Sequence, residues 1–171
     1  MSIQKLRDQI GDFAKDTRLN LGSVLSEDGA QGLSQSQILG TALACAYSTQ
    51  NQRLVDAIIA DSQSVLSEKE VEAAQTASTL MAMNNVYYRF LHLADDKEFG
   101  KLPARLRMNA IQNPGIPKVD FELYSLAISA LSGCGMCINA HISTLKKEDV
   151  SIEGIQSAIR IASVINATDQ A

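Results

Sequence analysis

The 171-residue chain is 46% hydrophobic and 20% charged, with a formal net charge of -4 at pH 7, a balance suited to one globular unit spanning 1–171. The net acidity argues against general binding to nucleic acid or to anionic membranes, both of which call for basic faces. The opening MSIQKLRDQIGDFAKDTRLN mixes charge and apolarity unlike a signal peptide, and no run approaches the roughly 18 apolar residues of a membrane span, so a cytoplasmic protein is expected.

Strand signals are nearly absent and helical periodicity prevails. Ile3, Leu6, Ile10 and Phe13 mark one face of a first helix ending near Asp16. The loop SEDGAQGLSQSQ precedes a small-residue helix, ILGTALACAYSTQ, and a third helix, NQRLVDAIIADSQSVL. Ser67 and Glu70 form a capping box that opens a long helix through about Leu93. DDKEFGKLP is a solvated connector, RLRMNAIQ a short helix, and NPGIPK a rigid turn that its prolines keep from helix. Three more helices are expected over 119–131, 134–147 and 151–167. The fold class is therefore all-α.

A shift of 84 residues lays the second half over the first without a gap, pairing about 39–82 with 123–166. Leu39/Leu123, Ala46/Ala130, Ser48/Ser132, Ile58/Ile142, Ser67/Ser151 and Ala74/Ala158 are identical pairs. The order of breaks persists better than the identities do, which suggests a duplicated helical motif. Glu122, Cys134, Cys137 and His141 have no counterparts in the first copy, as a scaffold with chemistry in one half would require.

Those four residues carry the chemical signal. An odd set of three cysteines in a cytoplasmic chain is a poor disulfide scaffold, and a close pair reads as redox or metal chemistry. Cys134, Cys137 and His141 fall at helical spacings of three and four, on one face. Ser132 and Gly133 break the preceding run, which puts Cys134 near a fresh helix N-terminus where a thiolate is favoured. His141, one turn below Cys137, can take its proton. Spacing thus makes Cys137 the nucleophile and Cys134 its resolving partner. Glu122 lies twelve residues before Cys134, about 18 Å along a continuous helix. It reaches His141 only if the chain folds back near Ser132–Gly133; otherwise it complements a helix dipole. A three-ligand zinc site from Cys134, Cys137 and His141 is the rival reading, and a purely structural role is the third.

Other residues have plainer readings. His92, distant in VYYRFLHLADD, is a helix-end residue, and Cys45 is a buried core thiol. Leu80, Met81 and Met83 form a core stripe, while Arg105, Arg107 and Lys118 make a local basic patch.

The segment RLRMNAIQNPGIPKVDFELYSLAISALSGCGMCINAH, with MSIQKL, LGTALACA and MAMNNVYYRF, resembles the alkyl hydroperoxidase D family of the carboxymuconolactone decarboxylase-like superfamily. The resemblance covers nearly the whole chain. It implies an all-helical subunit assembled as a trimer, and no bound metal or organic cofactor. It implies reduction of alkyl hydroperoxides and of the disulfide of a two-cysteine peroxiredoxin. Electrons would come from the dihydrolipoyl group of a dehydrogenase-complex subunit. Its catalytic positions fall on Glu122, Cys134, Cys137 and His141. In the family, the second cysteine attacks peroxide, the first resolves it, and the carboxylate–imidazole pair relays protons.

One departure stands out. Well-known members carry histidine immediately before the second cysteine, where this chain has Met136. Methionine transfers no protons, so activation would rest on Glu122 and His141. Direct peroxidase turnover would then be weaker than the family suggests. Two alternatives remain beside the peroxidase: a disulfide reductant or redox-sensing adaptor, and decarboxylase-type chemistry, for which paired cysteines have no evident use.

Overall fold

A computed structural model describes residues 1–171, with nine α-helices and no strand. They are α1 (Ile3–Gln9), α2 (Lys15–Val24), α3 (Gln35–Thr49), α4 (Gln52–Ser62), α5 (Glu68–Leu93), α6 (Asn109–Gln112), α7 (Lys118–Ser132), α8 (Gly135–Lys147) and α9 (Ile152–Asp169). Single 3-10 turns occupy Asp12–Ala14 and Phe99–Lys101. The fold is all-α, as the periodicity indicates.

The starts of the helices follow local chemistry. Ser2, Ser34, Asn51, Ser67 and Ser151 each accept a hydrogen bond from the backbone N–H three residues on. Such a cap contributes about 1 kcal/mol. Ser34–Gln37 and Ser67–Glu70 both complete reciprocal capping boxes.

Two helices form the centre. Every residue from Ile38 to Ala46 in α3 and from Phe121 to Ser129 in α7 is buried. A helix buried all round needs neighbours on every side, and these two have them: α5 and α9 pack against both. Gly40 permits the α3–α7 approach, because a Cβ there would lie 2.0 Å from the Tyr124 hydroxyl oxygen. The remaining helices cover this centre, α8 lying on α7 and α5, α4 on α3 and α1, and α2 on α9. One continuous apolar core runs from Leu6 to Ile165.

Three expectations change. The first helix stops at Gln9 instead of near Asp16, because Ile10 and Gly11 adopt extended backbone. Phe13 therefore leaves the apolar face and is 83% exposed. A separate helix, α2, follows and buries Leu21 and Val24. The Arg18 side chain secures the break by donating to the Ile10 carbonyl at 2.8 Å. The short helix expected over RLRMNAIQ contracts to α6, because Arg105 takes a left-handed φ of 53° at its head and Met108, at φ -136°, is still outside the helical region.

Helix bounds recur along the chain. α3 and α4 begin 83 residues before α7 and α8, whereas α5 begins 84 before α9. The gapless 84-residue register is thus displaced by one across the first two helices of each set. At the 83-residue spacing, Gln50 and Gly133 occupy equivalent left-handed C-cap positions, with φ of 62° and 67°.

Candidate active site

The α7–α8 joint builds the site. Ser132 ends α7, Gly133 turns the chain in the left-handed region, and Cys134 is already the N-cap of α8. Glycine suits Gly133 because a Cβ is disfavoured at positive φ. The reversal lays α8 back along α7, which removes the separation that a continuous helix would impose on Glu122.

Cys134 fills the cap with sulfur. Its Sγ accepts from the Cys137 N–H at 3.3 Å, where Asn51 Oδ1 accepts from the Leu54 N–H at 3.2 Å at the head of α4. Asn51 stands 83 residues before Cys134, so the same structural position carries an ordinary amide cap in one helix pair and a cysteine sulfur in the other. Cys134 and Cys137 are joined as a disulfide, with Cα atoms 5.3 Å apart. Cys134 has no exposure, while Cys137 retains 7%. An incoming nucleophile or oxidant therefore meets Cys137 first.

Glu122 and His141 meet across the two helices. His141 Nδ1 lies 2.7 Å from Glu122 Oε2, with both residues buried. With the carboxylate accepting from Nδ1–H, Nε2 is the free ring nitrogen. All four residues read from the sequence are gathered at this joint. No group of three or more His, Cys, Asp or Glu side chains is arranged to hold a metal ion.

A cavity of about 250 Å³ opens onto Cys137 and His141. Its walls are Met81, Asn84, Tyr88, Met108, Ile111, Met136 and Ala140. They come from α5, α6 and its approach, and α8, so the long helix contributes one whole side. Met81 of the sequence-read core stripe is both buried and part of this wall.

Several contributors escape a reading by motif. Asn85 Nδ2 donates to Ser132 Oγ at 3.1 Å, and its Oδ1 accepts from Ser129 Oγ at 3.0 Å. Arg89 donates to the Ser132 carbonyl at 2.6 Å. These bonds clamp the end of α7 immediately before the Gly133 turn. The signal for them is positional: in MAMNNVYYR, Asn85 and Arg89 stand four apart, on one helix face.

His92 is also placed differently from the sequence reading. It does lie in the last turn of α5, but not remotely from the cysteines. A Cβ built on Gly135 would stand 3.3 Å from His92 Cε1. The second histidine therefore covers the turn between the two cysteines, brought there by the packing of α5 on α8. Cys45, by contrast, is fully buried in α3 as expected, and burial pushes its thiol pKa up.

Comparison with known proteins places the chain in a family. Residues 97–171 match the carboxymuconolactone decarboxylase family. The chain is 52% identical over 168 residues to a Coxiella burnetii protein named alkyl hydroperoxide reductase AhpD, covering 98% of this chain and 95% of that protein. Proteins of the same name from Bradyrhizobium and Brucella suis are 53% and 48% identical over 167 residues, covering 98% of this chain and 91% and 94% of theirs. The chain belongs to the alkyl hydroperoxide reductase AhpD family.

Proposed function

We propose that this protein is an antioxidant thiol oxidoreductase that reduces organic hydroperoxides. The observation that carries the reading is one arrangement: buried His141, bonded to Glu122, lines the same cavity as Cys137. The names of the relatives add support, since they denote alkyl hydroperoxide reductases.

The reaction follows from thiol chemistry. His141, oriented by Glu122, holds the Cys137 thiol as thiolate. The thiolate attacks the terminal oxygen of the hydroperoxide; the O–O bond breaks, a proton reaches the departing alkoxide, and alcohol and a Cys137 sulfenic acid result. Cys134 attacks that sulfur, releasing water and forming the Cys134–Cys137 disulfide. A dihydrolipoyl group, as reducing cosubstrate, restores both thiols by exchange and becomes its own disulfide. No bound cofactor has a part in this sequence.

The proposal extends to partners and assembly. A two-cysteine peroxiredoxin disulfide is an alternative oxidant for the thiol pair, and a lipoyl-bearing dehydrogenase-complex subunit is the electron source. The subunit is a homotrimer working in the cytoplasm, and its two three-helix sets arose by duplication of one motif. Support for duplication is the matched helix bounds and the shared cap geometry of Asn51 and Cys134.

Steady-state consumption of cumene hydroperoxide with dihydrolipoamide tests the enzyme. Cys134→Ser, Cys137→Ser, His141→Phe and Glu122→Phe should each lose most turnover. Full activity in Cys137→Ser would overturn the mechanism. Stoichiometric oxidation without turnover in the wild type would favour the second reading, a disulfide reductant or redox-sensing adaptor, for which Met136 in place of histidine speaks.

A further inference from the structure

Two adjacent asparagines of α5 face the site, and they behave differently. Asn85 is fully engaged, holding Ser129 and Ser132. Asn84 is 4% exposed, and its Oδ1 has no hydrogen-bond partner. A buried, unpaired amide oxygen carries an uncompensated desolvation cost, and architecture does not explain this one, since its neighbour carries the structural bonds. Asn84 lines the cavity shared by Cys137 and His141, among walls that are otherwise nearly all apolar. The unpaired amide therefore belongs to a residue in the wall of the cavity that Cys137 and His141 also line.

We propose that Asn84 is a substrate-contacting residue that binds the –O–O–H head of an alkyl hydroperoxide and aims it at Cys137, an inference resting on the peroxidase reading above. A primary amide offers an acceptor and a donor side by side, the complement of a hydroperoxide, which has a hydrogen on its distal oxygen and lone pairs on its proximal one. The distal O–H donates to Oδ1, and the proximal oxygen accepts from Nδ2–H. When the Cys137 thiolate attacks the distal oxygen, the S–O bond forms and the O–O electron pair passes to the proximal oxygen. The amide N–H then sits on the atom where negative charge develops, and His141 delivers the proton that completes the alcohol. Met81, Tyr88, Met108, Ile111 and Met136 provide an apolar wall for the alkyl group. The substrate class is therefore an organic hydroperoxide with an apolar arm, in preference to hydrogen peroxide, which would leave that wall uncovered.

The test separates the two half-reactions. Pre-reduced wild type and Asn84→Leu are mixed with cumene hydroperoxide, and disulfide formation is followed by rapid quench and thiol titration. The variant should be oxidised about 100-fold more slowly, the scale of losing one donor to a developing oxyanion. Its alkylation at Cys137 by iodoacetamide and its re-reduction by dihydrolipoamide should match wild type, and its Tm should not fall, because leucine removes an unpaired polar atom. Asn84→Ser, smaller and still polar, should show the same selective loss. Oxidation of either variant at the wild-type rate overturns the assignment, as does a parallel loss of oxidation, alkylation and re-reduction, which would mark a structural role. A wild type inert to hydroperoxide overturns the peroxidase reading and this one with it; an active wild type with unimpaired variants overturns this one alone.

Discussion

His141 Nδ1 and Glu122 Oε2 stand 2.7 Å apart and tie α8 to α7 across a buried seam. Removing the carboxylate leaves a ring nitrogen without its acceptor. Glu122→Leu should lower unfolding free energy by about 1–3 kcal/mol, measured by urea denaturation. It should also cut hydroperoxide turnover by about 100-fold, because the imidazole loses the partner that fixes its tautomer. Turnover equal to wild type would show that the pair is structural only.

The two cysteines differ in exposure, 0% for Cys134 and 7% for Cys137, and should differ in failure. Reduced Cys134→Ser, treated with one equivalent of cumene hydroperoxide, should gain a single oxygen at Cys137 by mass spectrometry. Cys137→Ser should gain none at Cys134. The reverse pattern would exchange their roles.

Met136 is 43% exposed and borders the cavity. Met136→His installs an acid–base group beside Cys137, and peroxide consumption with dihydrolipoamide should rise by about tenfold, below the usual range of a fully positioned general acid or base. An unchanged rate would mean that Glu122 and His141 already suffice.

Asp120 gives a pH dependence of defined sign. Burial pushes its carboxyl above the ordinary value; the Gln37 amide, donating at 2.7 Å, opposes the rise, and Glu70 adds to it. The native state therefore holds this proton more tightly than the unfolded chain does. Its contribution is greatest below the unfolded carboxyl value of about 3.9 and is lost as pH rises through the raised native value. Asp120→Asn retains the acceptor and removes the ionisation. Its Tm should match wild type at low pH and exceed it at neutrality; a Tm deficit at neutral pH would reverse the assignment.

Gly40 supplies a packing prediction. With a Cβ 2.0 Å from the Tyr124 hydroxyl oxygen, Gly40→Ala must displace α3 from α7. A loss of about 1–3 kcal/mol is expected from overpacking, read from denaturant midpoints.

What the sequence discloses and what it hides have a common physical basis. Short-range chemistry is legible: the Ser67–Glu70 box, the Ser151 cap and the Cys134–Cys137–His141 spacing all act within one or two turns. Glu122 is legible as a candidate, but spacing alone leaves its partnership with His141 open, because that contact depends on the angle set by Gly133. The α1–α2 break is missed because Ile10 and Phe13 continue the helical period through Gly11, although the backbone does not. His92 and Asn84 are obscured for a tertiary reason. Their neighbours belong to α8, some forty or more residues away in the chain, and an asparagine on a long helix otherwise looks like a solvated one.

Cys45 adds a practical consequence. It is fully buried, its thiol pKa is raised by desolvation, and it is the one cysteine outside the disulfide. A thiol kept neutral and out of contact with solvent reacts slowly with alkylating reagents and peroxides. Under native conditions the protein therefore carries an internal blank: a thiol that a reagent counts belongs to the Cys134–Cys137 pair, and first of all to Cys137. A titration of the folded protein reports the oxidation state of the site with no contribution from Cys45.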